Sequence, residues 1–395
     1  MAEGTHSADL LGMTAELARD PQAMYRMLLA DSPVTRVDGV GVVVASRPAV
    51  DEILHDPAVF SSNMSATDLK TRRPLIPLQT DPPAQRKYRK ILDPLFAPQR
   101  MKPLEEPVAK LVNGLIDTFV DHEEIDFAKQ FSVPFPSQVF ITMFGLPRDE
   151  LPRFLAMKDG IIRPQHVVGQ PLGHPDTEAH QQTTADSIYA YFEALLAQRG
   201  DDRRGDLISR FLEAEVDGER LSGDEIVDIC FLFLIAGLDT VSASLDCIFG
   251  HLAQHPETRR HLVERPDGIP QAVEEFLRWE TPVMAVARIA TRDTEIAGCP
   301  VHEGDQILAL IGAANVDDSE FVDADHLDLD RQANRHIAFG GGFHRCLGSH
   351  LARLELRVAL REWHRRIRDY RLTPGAELNY TPGIRSVDSF PMLLE

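Results

Sequence analysis

The alternation of apolar and polar positions divides the chain into three stretches. In the first third, short β-forming runs mix with helical ones. Val34 to Val44 is valine-rich on both sides of Asp38-Gly39, a turn dipeptide between β-formers, and this predicts a hairpin. Pro82-Pro83 punctuates the chain ahead of a basic segment, Gln85 to Leu92, that reads as a helix. From about Glu105 to Leu262 helical periodicity dominates. One helix there stands apart. Ser222, with Glu225 three residues on, has the form of a capping box. The apolar run Ile229 to Leu238 follows, bracketed by Asp228 and Asp239, and the pattern continues to about Gln254. Such a helix is about 48 Å long at ~1.5 Å per residue, enough to cross a whole domain. Apolar nearly all round near its middle, it is expected to be buried.

Beyond it, Ile296 to Val301 and Asp305 to Leu308 suggest a short β-unit, and Asn315 to Asn334 is polar and irregular. A glycine-rich loop then leads into a last long helix, about Leu347 to Arg368. No fixed-period repeat, low-complexity tract or Pro/Gly/Ser linker divides residues 1–395. The expectation is a single, mainly α domain with small β-sheets at its edges.

Composition narrows the function classes. Apolar residues at 43% and charged residues at 26% exclude a disordered or collagen-like chain. Acids outnumber bases 61 to 41, for a net charge of −20, so nucleic acid, which needs a basic face, is not an expected partner. Four scattered cysteines, Cys230, Cys247, Cys299 and Cys346, are too few for a disulfide framework and fit a reducing compartment. Met1 to Asp9 lacks an apolar signal core. The longest apolar run falls short of the ~20 residues of a membrane span. A cytoplasmic protein without a membrane anchor is expected.

The segment that carries most chemistry is Phe339-Gly340-Gly341-Gly342-Phe343-His344-Arg345-Cys346-Leu347-Gly348. Three glycines let backbone come close to something flat or bulky. The cysteine then falls at the start of a helix, where free N–H groups stabilise a thiolate. A thiolate held in this way is a good axial ligand for iron. Two other readings stand beside that one. The loop could surround an inert cysteine, or His336, His344, Cys346 and His350 could hold zinc, although their spacing matches no common finger pattern.

This segment resembles the haem-thiolate loop of cytochrome P-450, whose pattern F-x-x-G-x-H-x-C-x-G it meets at every specified position. Three further motifs occur in that family's order. Glu275-Phe276-Leu277-Arg278 resembles its E-x-x-R, with Arg331 as the third member of the charge network. Ala236-Gly237-Leu238-Asp239-Thr240 resembles its oxygen-activation motif, in which the Thr240 hydroxyl loosens the helix by bonding back to a carbonyl. Asp81-Pro82-Pro83-Ala84-Gln85 to Arg89 resembles D-P-P-x-H-x-x-x-R, with Gln85 in place of the histidine. Ala324 and Leu327 stand where the family has Pro and Phe, and Asp318 where a Pro is common. Leu238 to Val241, Gln85 and Ile76-Pro77 look closest to the camphor-hydroxylating branch.

The resemblance implies the cytochrome P-450 fold, mainly α with small β-sheets, and haem b as cofactor. Cys346 would be the axial ligand to iron. Arg89, Arg288 and His344 would meet the propionates, with Gln85 and Phe339 also at the haem. Asp239 and Thr240 would deliver protons to bound O2. One oxygen atom would enter a C–H bond of a small apolar, terpenoid-like molecule. Ile235, Ala236, Val283, Val286 and Val387 would line the pocket. Between Phe60 and Thr80 there is no Tyr, Trp or His. A polar group on the substrate would therefore have to meet Asn63, Ser65, Thr67, Thr71, Gln79 or a charged side chain. With no flavin or nicotinamide motif in the chain, electrons would come from a ferredoxin, of the [2Fe-2S] type, and its reductase. Lys70 to Lys102 holds nine Lys or Arg against two Asp, and Arg345 to Arg366 six Arg against two Glu. These basic segments would flank the haem and dock an acidic ferredoxin. The alternative is a haem-binding sensor or carrier, against which the intact Asp239-Thr240 pair argues.

Overall fold

The computed structural model describes residues 18–63, 69–200, 202–216 and 218–395. Met1 to Asp9 therefore lies outside the described residues. Helices form the body, and the described residues carry four small sheets at its edges, as the family resemblance implied. Six helices position the site: α1 (Ala84–Leu92), α2 (Leu151–Ile162), α3 (Gly223–Gly237), α4 (Thr240–Gln254), α5 (Ile269–Glu280) and α6 (Ser349–Arg366).

The Val34 to Val44 segment forms the expected hairpin. Strand β1 (Val34–Val37) pairs with β2 (Gly41–Val44), with Val34 opposite Val44. The hairpin belongs to a five-stranded sheet with β3 (Phe60–Ser61), β4 (Val286–Ala290) and β5 (Gln306–Ala309) in the order β1-β2-β5-β4-β3. Its β2/β5 pair is parallel and the rest are antiparallel. This sheet matters because β4 carries Arg288. The β-unit after it folds as a small hairpin, Thr294–Ile296 with Cys299–Val301. Between Ala314 and Gly342 there is neither helix nor strand, matching the irregular stretch read from the sequence.

The capping box is made as expected. The Ser222 hydroxyl accepts from the Glu225 N–H, and the Glu225 carboxylate accepts from the Ser222 N–H at 2.7 Å. The single long helix is not. It breaks at Leu238-Asp239 into α3 and α4. Asp239 leaves helical geometry at φ −127°, ψ −40°, and the Thr240 hydroxyl donates to the Ala236 carbonyl at 3.0 Å. A side-chain hydroxyl thus takes the carbonyl that the backbone N–H would have used, and the helix opens by one turn. By length and mean hydropathy, Gly223–Gln254 is long and apolar enough to cross a membrane, but 78% of its most apolar window is buried inside the protein. It is a core helix. The last helix is also shorter than expected at both ends, starting at Ser349 and stopping at Arg366.

Aromatic rings lock these helices together. Phe249 on α4 and Trp363 on α6 lie 5.1 Å apart, with Phe127 at 4.4 Å and 5.2 Å from them. All three are fully buried. This contact fixes the helix that follows the cysteine loop against the helix that carries Thr240.

Candidate active site

The cysteine loop is built on local backbone bonds. Gly340 N–H donates to Ile337 at 2.8 Å, and Cys346 N–H donates to Phe339 at 2.8 Å. Gly342 sits at φ +58°, and a Cβ there would collide with the Leu54 carbonyl, so only glycine lets the loop lie against that helix end. The glycines thus serve protein packing as well as any flat ligand. Gly237 faces the Phe140 ring, where a Cβ would fall 2.8 Å from Cδ2.

Cys346 is the exposed cysteine of the four; Cys230 and Cys247 are buried and Cys299 is half-buried. Its sulfur can be reached from an open side yet is otherwise walled by protein. Burial pushes its thiol pKa up, while the Gly348 N–H and the guanidinium groups of Arg89, Arg345 and Arg353 pull the other way. Leu347 beside it packs against the core cluster that contains Ile235 and Leu238. Ala236 is exposed at the C-terminal end of α3, next to the buried Ile235, and Thr240 is half-buried beyond it.

Three cationic or donor side chains converge near the loop. Arg89 on α1 donates to the Arg345 carbonyl at 2.9 Å and pairs with Asp93 at 2.8 Å. Gln85, nearly fully buried, donates its amide N–H to the Phe343 carbonyl. It clips α1 to the cysteine loop. Arg288 is 7% exposed and donates to its neighbour's carbonyl, Ala287, at 2.7 Å. Among the described residues it has no ion-pair partner, and burial pulls its pKa down to about 10 against a weaker attraction from Asp81. His344 is pulled down to about 4, first by burial and then by Arg288, with Asp81 opposing and Arg89 adding a little. Its Nε2 is buried without a hydrogen-bond partner. A buried guanidinium and an orphaned imidazole nitrogen ask for anionic oxygens.

The charge network is complete. Glu275 and Arg278 are fully buried and doubly bonded, at 2.7 and 2.9 Å. Arg331 reaches the same carboxylate at 3.0 Å, Asn334 at 2.9 Å and the Asp328 N–H at 2.8 Å. Both arginines spend their remaining donors on carbonyls of the irregular stretch, including Ala324 and His326. The network thereby holds that stretch in shape without the family's Pro and Phe. Beside it, Glu274 on α5 takes Arg353 of α6 at 2.7 Å and His336 at 3.1 Å. His336 also accepts from the Ala338 N–H at 3.2 Å, so it caps the loop. Among the described residues no cluster of three His, Cys, Asp or Glu is placed to hold a metal ion.

The proposed pocket residues do not all meet. Val286 lies on β4, Val283 bridges to Ile384, and both pack against the cluster that holds Phe60. Ile235 and Ala236 belong to α3. Val387 lies elsewhere: its N–H donates to Asp246 at 3.2 Å, and it lines a separate cavity with Asp239. The reason is that backbone bond, which ties the turn to Asp246 on α4. Ser65 and Thr67 lie outside the described residues, and Gln79 is turned inward to accept from the Leu75 N–H at 2.8 Å.

Asp239 is 1% exposed and is paired with Lys158 of α2 at 3.1 Å and with Arg163. These two cations, and a second carboxylate on the same helix face, Asp246, were not read from the sequence. Asp246 could have been: an acid seven residues after Asp239 in an apolar helix repeats its face. The Glu274–Arg353 pair joins residues 79 apart and left no local signal.

A mainly helical body, a cysteine on a glycine loop beside unpaired donors for carboxylates, and a core helix broken over the open side define a haem-thiolate protein. The chain belongs to the cytochrome P450 family, whose model matches residues 35–265 and 269–374. It is 36% identical to a probable cytochrome P450 127A1 of Sinorhizobium fredii, over 92% of this chain and 87% of that one. It is 33% identical to a steroid C26-monooxygenase of Mycobacterium tuberculosis, over 94% and 93%. Among solved structures, P450BioI in complex with an acyl carrier protein ligated by hexadec-9Z-enoic acid superposes with a TM-score of 0.87. That match is at 28% identity, over 96% of this chain and 99% of that one. The family's cofactor is haem, held through a cysteine thiolate, and its members are monooxygenases. The residues here fit that group: Cys346 is open for iron, and Arg288, Arg89 and His344 are placed for two carboxylates.

Proposed function

We propose that this P450 hydroxylates an apolar, terpenoid-like molecule. It would use O2 and two electrons from an acidic [2Fe-2S] ferredoxin and its reductase. The observation that carries the reading is the break at Asp239-Thr240, which puts the Thr240 hydroxyl on the carbonyl of the exposed Ala236, with a buried carboxylate one residue before it. A sensor or carrier has no need of a proton-handling pair at that point. The haem, ligated by Cys346, supplies the oxidising chemistry on O2 when bound. The balance is one C–H bond, O2, two electrons and two protons in, and one alcohol and one water out.

The chain's own residues do the rest. Arg288, Arg89 and His344 hold the two propionates, and the neutral His344 offers a hydrogen bond rather than a charge. Thr240 would hold a water on the open side, and its hydroxyl would pass a proton to that water. Asp239 reloads that hydroxyl. Ile235, Ala236, Val283 and Val286 present aliphatic surface, which favours a fused carbon skeleton over a polar one. The steroid named for one relative has a skeleton of that kind. Kinship to the camphor-hydroxylating branch rests on Leu238 to Val241, Gln85 and Ile76-Pro77. Four free cysteines support a reducing, cytoplasmic setting. We read the chain as one haem domain.

The test is reconstitution of the haem-loaded protein with a ferredoxin and reductase. Candidate terpenoids and steroids are first titrated while the ferric spin-state band is followed. A ligand that shifts the band should be hydroxylated with consumption of NADH. Ligands that shift the band but never yield product, with NADH untouched, would favour the sensor or carrier.

A further inference from the structure

Behind the helix break lies a cavity of about 320 Å³, lined among others by Asp239, Ser242, Asp246, Lys158, Arg163 and Val387. Asp239, the residue before α4, and Ser242 and Asp246 within it are spaced i, i+3 and i+7 and line the cavity together. Two polar atoms in this wall, Asp239 Oδ2 and Ser242 Oγ, are buried without a hydrogen-bond partner. Its walls mix apolar side chains such as Val133, Leu151 and Leu155 with these charged and polar groups; a cavity of this size has room for several waters at ~30 Å³ each, and the two orphans supply partners that such waters need. The cavity wall also includes Lys129, Asp159 and Asp388, whose side chains are 66%, 40% and 72% exposed. Solvent therefore has a way in.

We propose that Asp246 stores a proton for Asp239. The two carboxylates share a water-filled chamber, Asp246 passes its proton along that water to Asp239, and solvent refills it past Asp388. The proton is the only species moved: Asp246 goes from acid to carboxylate and back. Asp246 acts through Asp239 and touches no substrate, so its role is to position and supply. The catalytic consequence rests on the monooxygenase reading; the chamber does not.

The surroundings of Asp246 suit a store that fills and empties. It is fully buried. Ser132 donates its hydroxyl to one carboxylate oxygen, and the Val387 N–H donates to the other. Tyr380 donates to its backbone carbonyl at 3.3 Å. Across the chamber stand Asp239, Arg163 and Lys158, with Lys129, Asp159 and Asp388 at the rim. Burial pushes the Asp246 pKa up to about 7. Ser132, Val387 and Arg163 restrain it, and the like charge of Asp239 adds to the rise. The carboxyl is therefore protonated below neutral pH and empties above it.

The experiment is an infrared titration of the haem-loaded protein, following the carbonyl stretch of a protonated carboxylic acid, alongside turnover against pH. Burial also pushes the Glu355 carboxyl well up, so the signal to follow is the component that titrates: the wild type should show one with a midpoint near pH 7, and Asp246→Asn should lack it. In Asp239→Asn the midpoint should fall, because the like charge is gone. In Ser132→Ala it should rise, because a donor to the carboxylate is gone. Turnover should decline above the same midpoint in the wild type. In Asp246→Asn it should be lower by about tenfold and lose that inflection, a smaller loss than the ~10²–10⁴ of a directly acting acid–base group. A component titrating near pH 7 that survives in Asp246→Asn, a midpoint indifferent to Asp239→Asn, or a pH–turnover profile in Asp246→Asn that matches the wild type overturns the proposal. If the infrared shifts occur as described but the wild type makes no product, the chamber stands and the monooxygenase reading fails.

Discussion

Arg288 shows how a single side chain can be wrong for the protein alone and right for its cofactor. It is a guanidinium buried on strand β4, with burial dragging its pKa to about 10 and no carboxylate at bonding distance among the described residues. A buried charge without a partner costs stability, and the same charge beside a carboxylate recovers it. The Arg288→Leu variant should therefore move two measurements in opposite directions. Haem affinity should fall by about 2–5 kcal/mol, the cost of leaving a carboxylate unpaired in a dry site, or about 30-fold and more. The haem-free protein should gain in Tm. Unchanged affinity in a haem titration, or a lower Tm without haem, would mean that Arg288 serves the sheet and not the propionate. This residue was legible only through family likeness; alone in the sequence, it is one arginine among many. Asp246 carries a local signal, an acid seven residues after Asp239 in an apolar helix, but it lies outside the motif that ends with Thr240.

Secondary elements divide in the same way. The Val34–Val44 hairpin and the Ser222 capping box were readable because each is fixed by residues a few positions apart. The break between α3 and α4 was legible only as the loosening by Thr240 that the family resemblance implies; the pairing of Asp239 with Lys158 and Arg163, some eighty residues away, left no local signal. The break is also where coupling should be controlled. Thr240→Ala removes the hydroxyl that bonds to Ala236 and the group that would hand on protons. It should still consume NADH but release hydrogen peroxide in place of alcohol, and product per NADH reads this out. Wild-type coupling would make the hydroxyl a helix-structural group only.

The α5–α6 clamp carries its own pH dependence. Burial pushes the Glu274 carboxyl up, but His336 and Arg353 outweigh it and hold it at about 2. The folded pKa lies below the ordinary 4.5, so the clamp's stabilisation is complete above pH 4.5 and is lost as pH falls toward 2. Arg353→Met should accordingly have a lower Tm than the wild type at neutral pH, with the gap narrowing through that window. A constant gap would show that Arg353 acts through its packing over Phe339, 4.4 Å from the ring centroid.

Across the molecule, charge is arranged differently from what counting along the chain suggested. Many cations of the 70–102 segment are spent on acids elsewhere: Arg72 on Asp186 and Glu193, Arg73 on Asp224 and Asp228, Lys87 on Glu219 and Glu225. The local excess read from sequence is thus largely neutralised by partners more than a hundred residues away, which no window along the chain reveals. Arg86, Arg100 and Arg345 remain exposed and make no ion pair among the described residues. A ferredoxin steered by these few charges should lose rate with ionic strength, since charges further apart than ~10 Å are screened at 0.1 M salt. The initial reduction rate should fall with added salt and in Arg345→Glu; a rate indifferent to both would point to an apolar docking face. The fold itself was legible because its motifs are spread over the length of the chain and each fixes a different element. The haem-thiolate reading hangs on one sulfur. The ferrous carbonyl spectrum of the wild type, set beside those of Cys346→Ser, Cys230→Ser and Cys247→Ser, tests it. The account predicts a red-shifted Soret band in all but Cys346→Ser. The same band persisting in Cys346→Ser would mean that another residue ligates the iron, and would contradict the site described above.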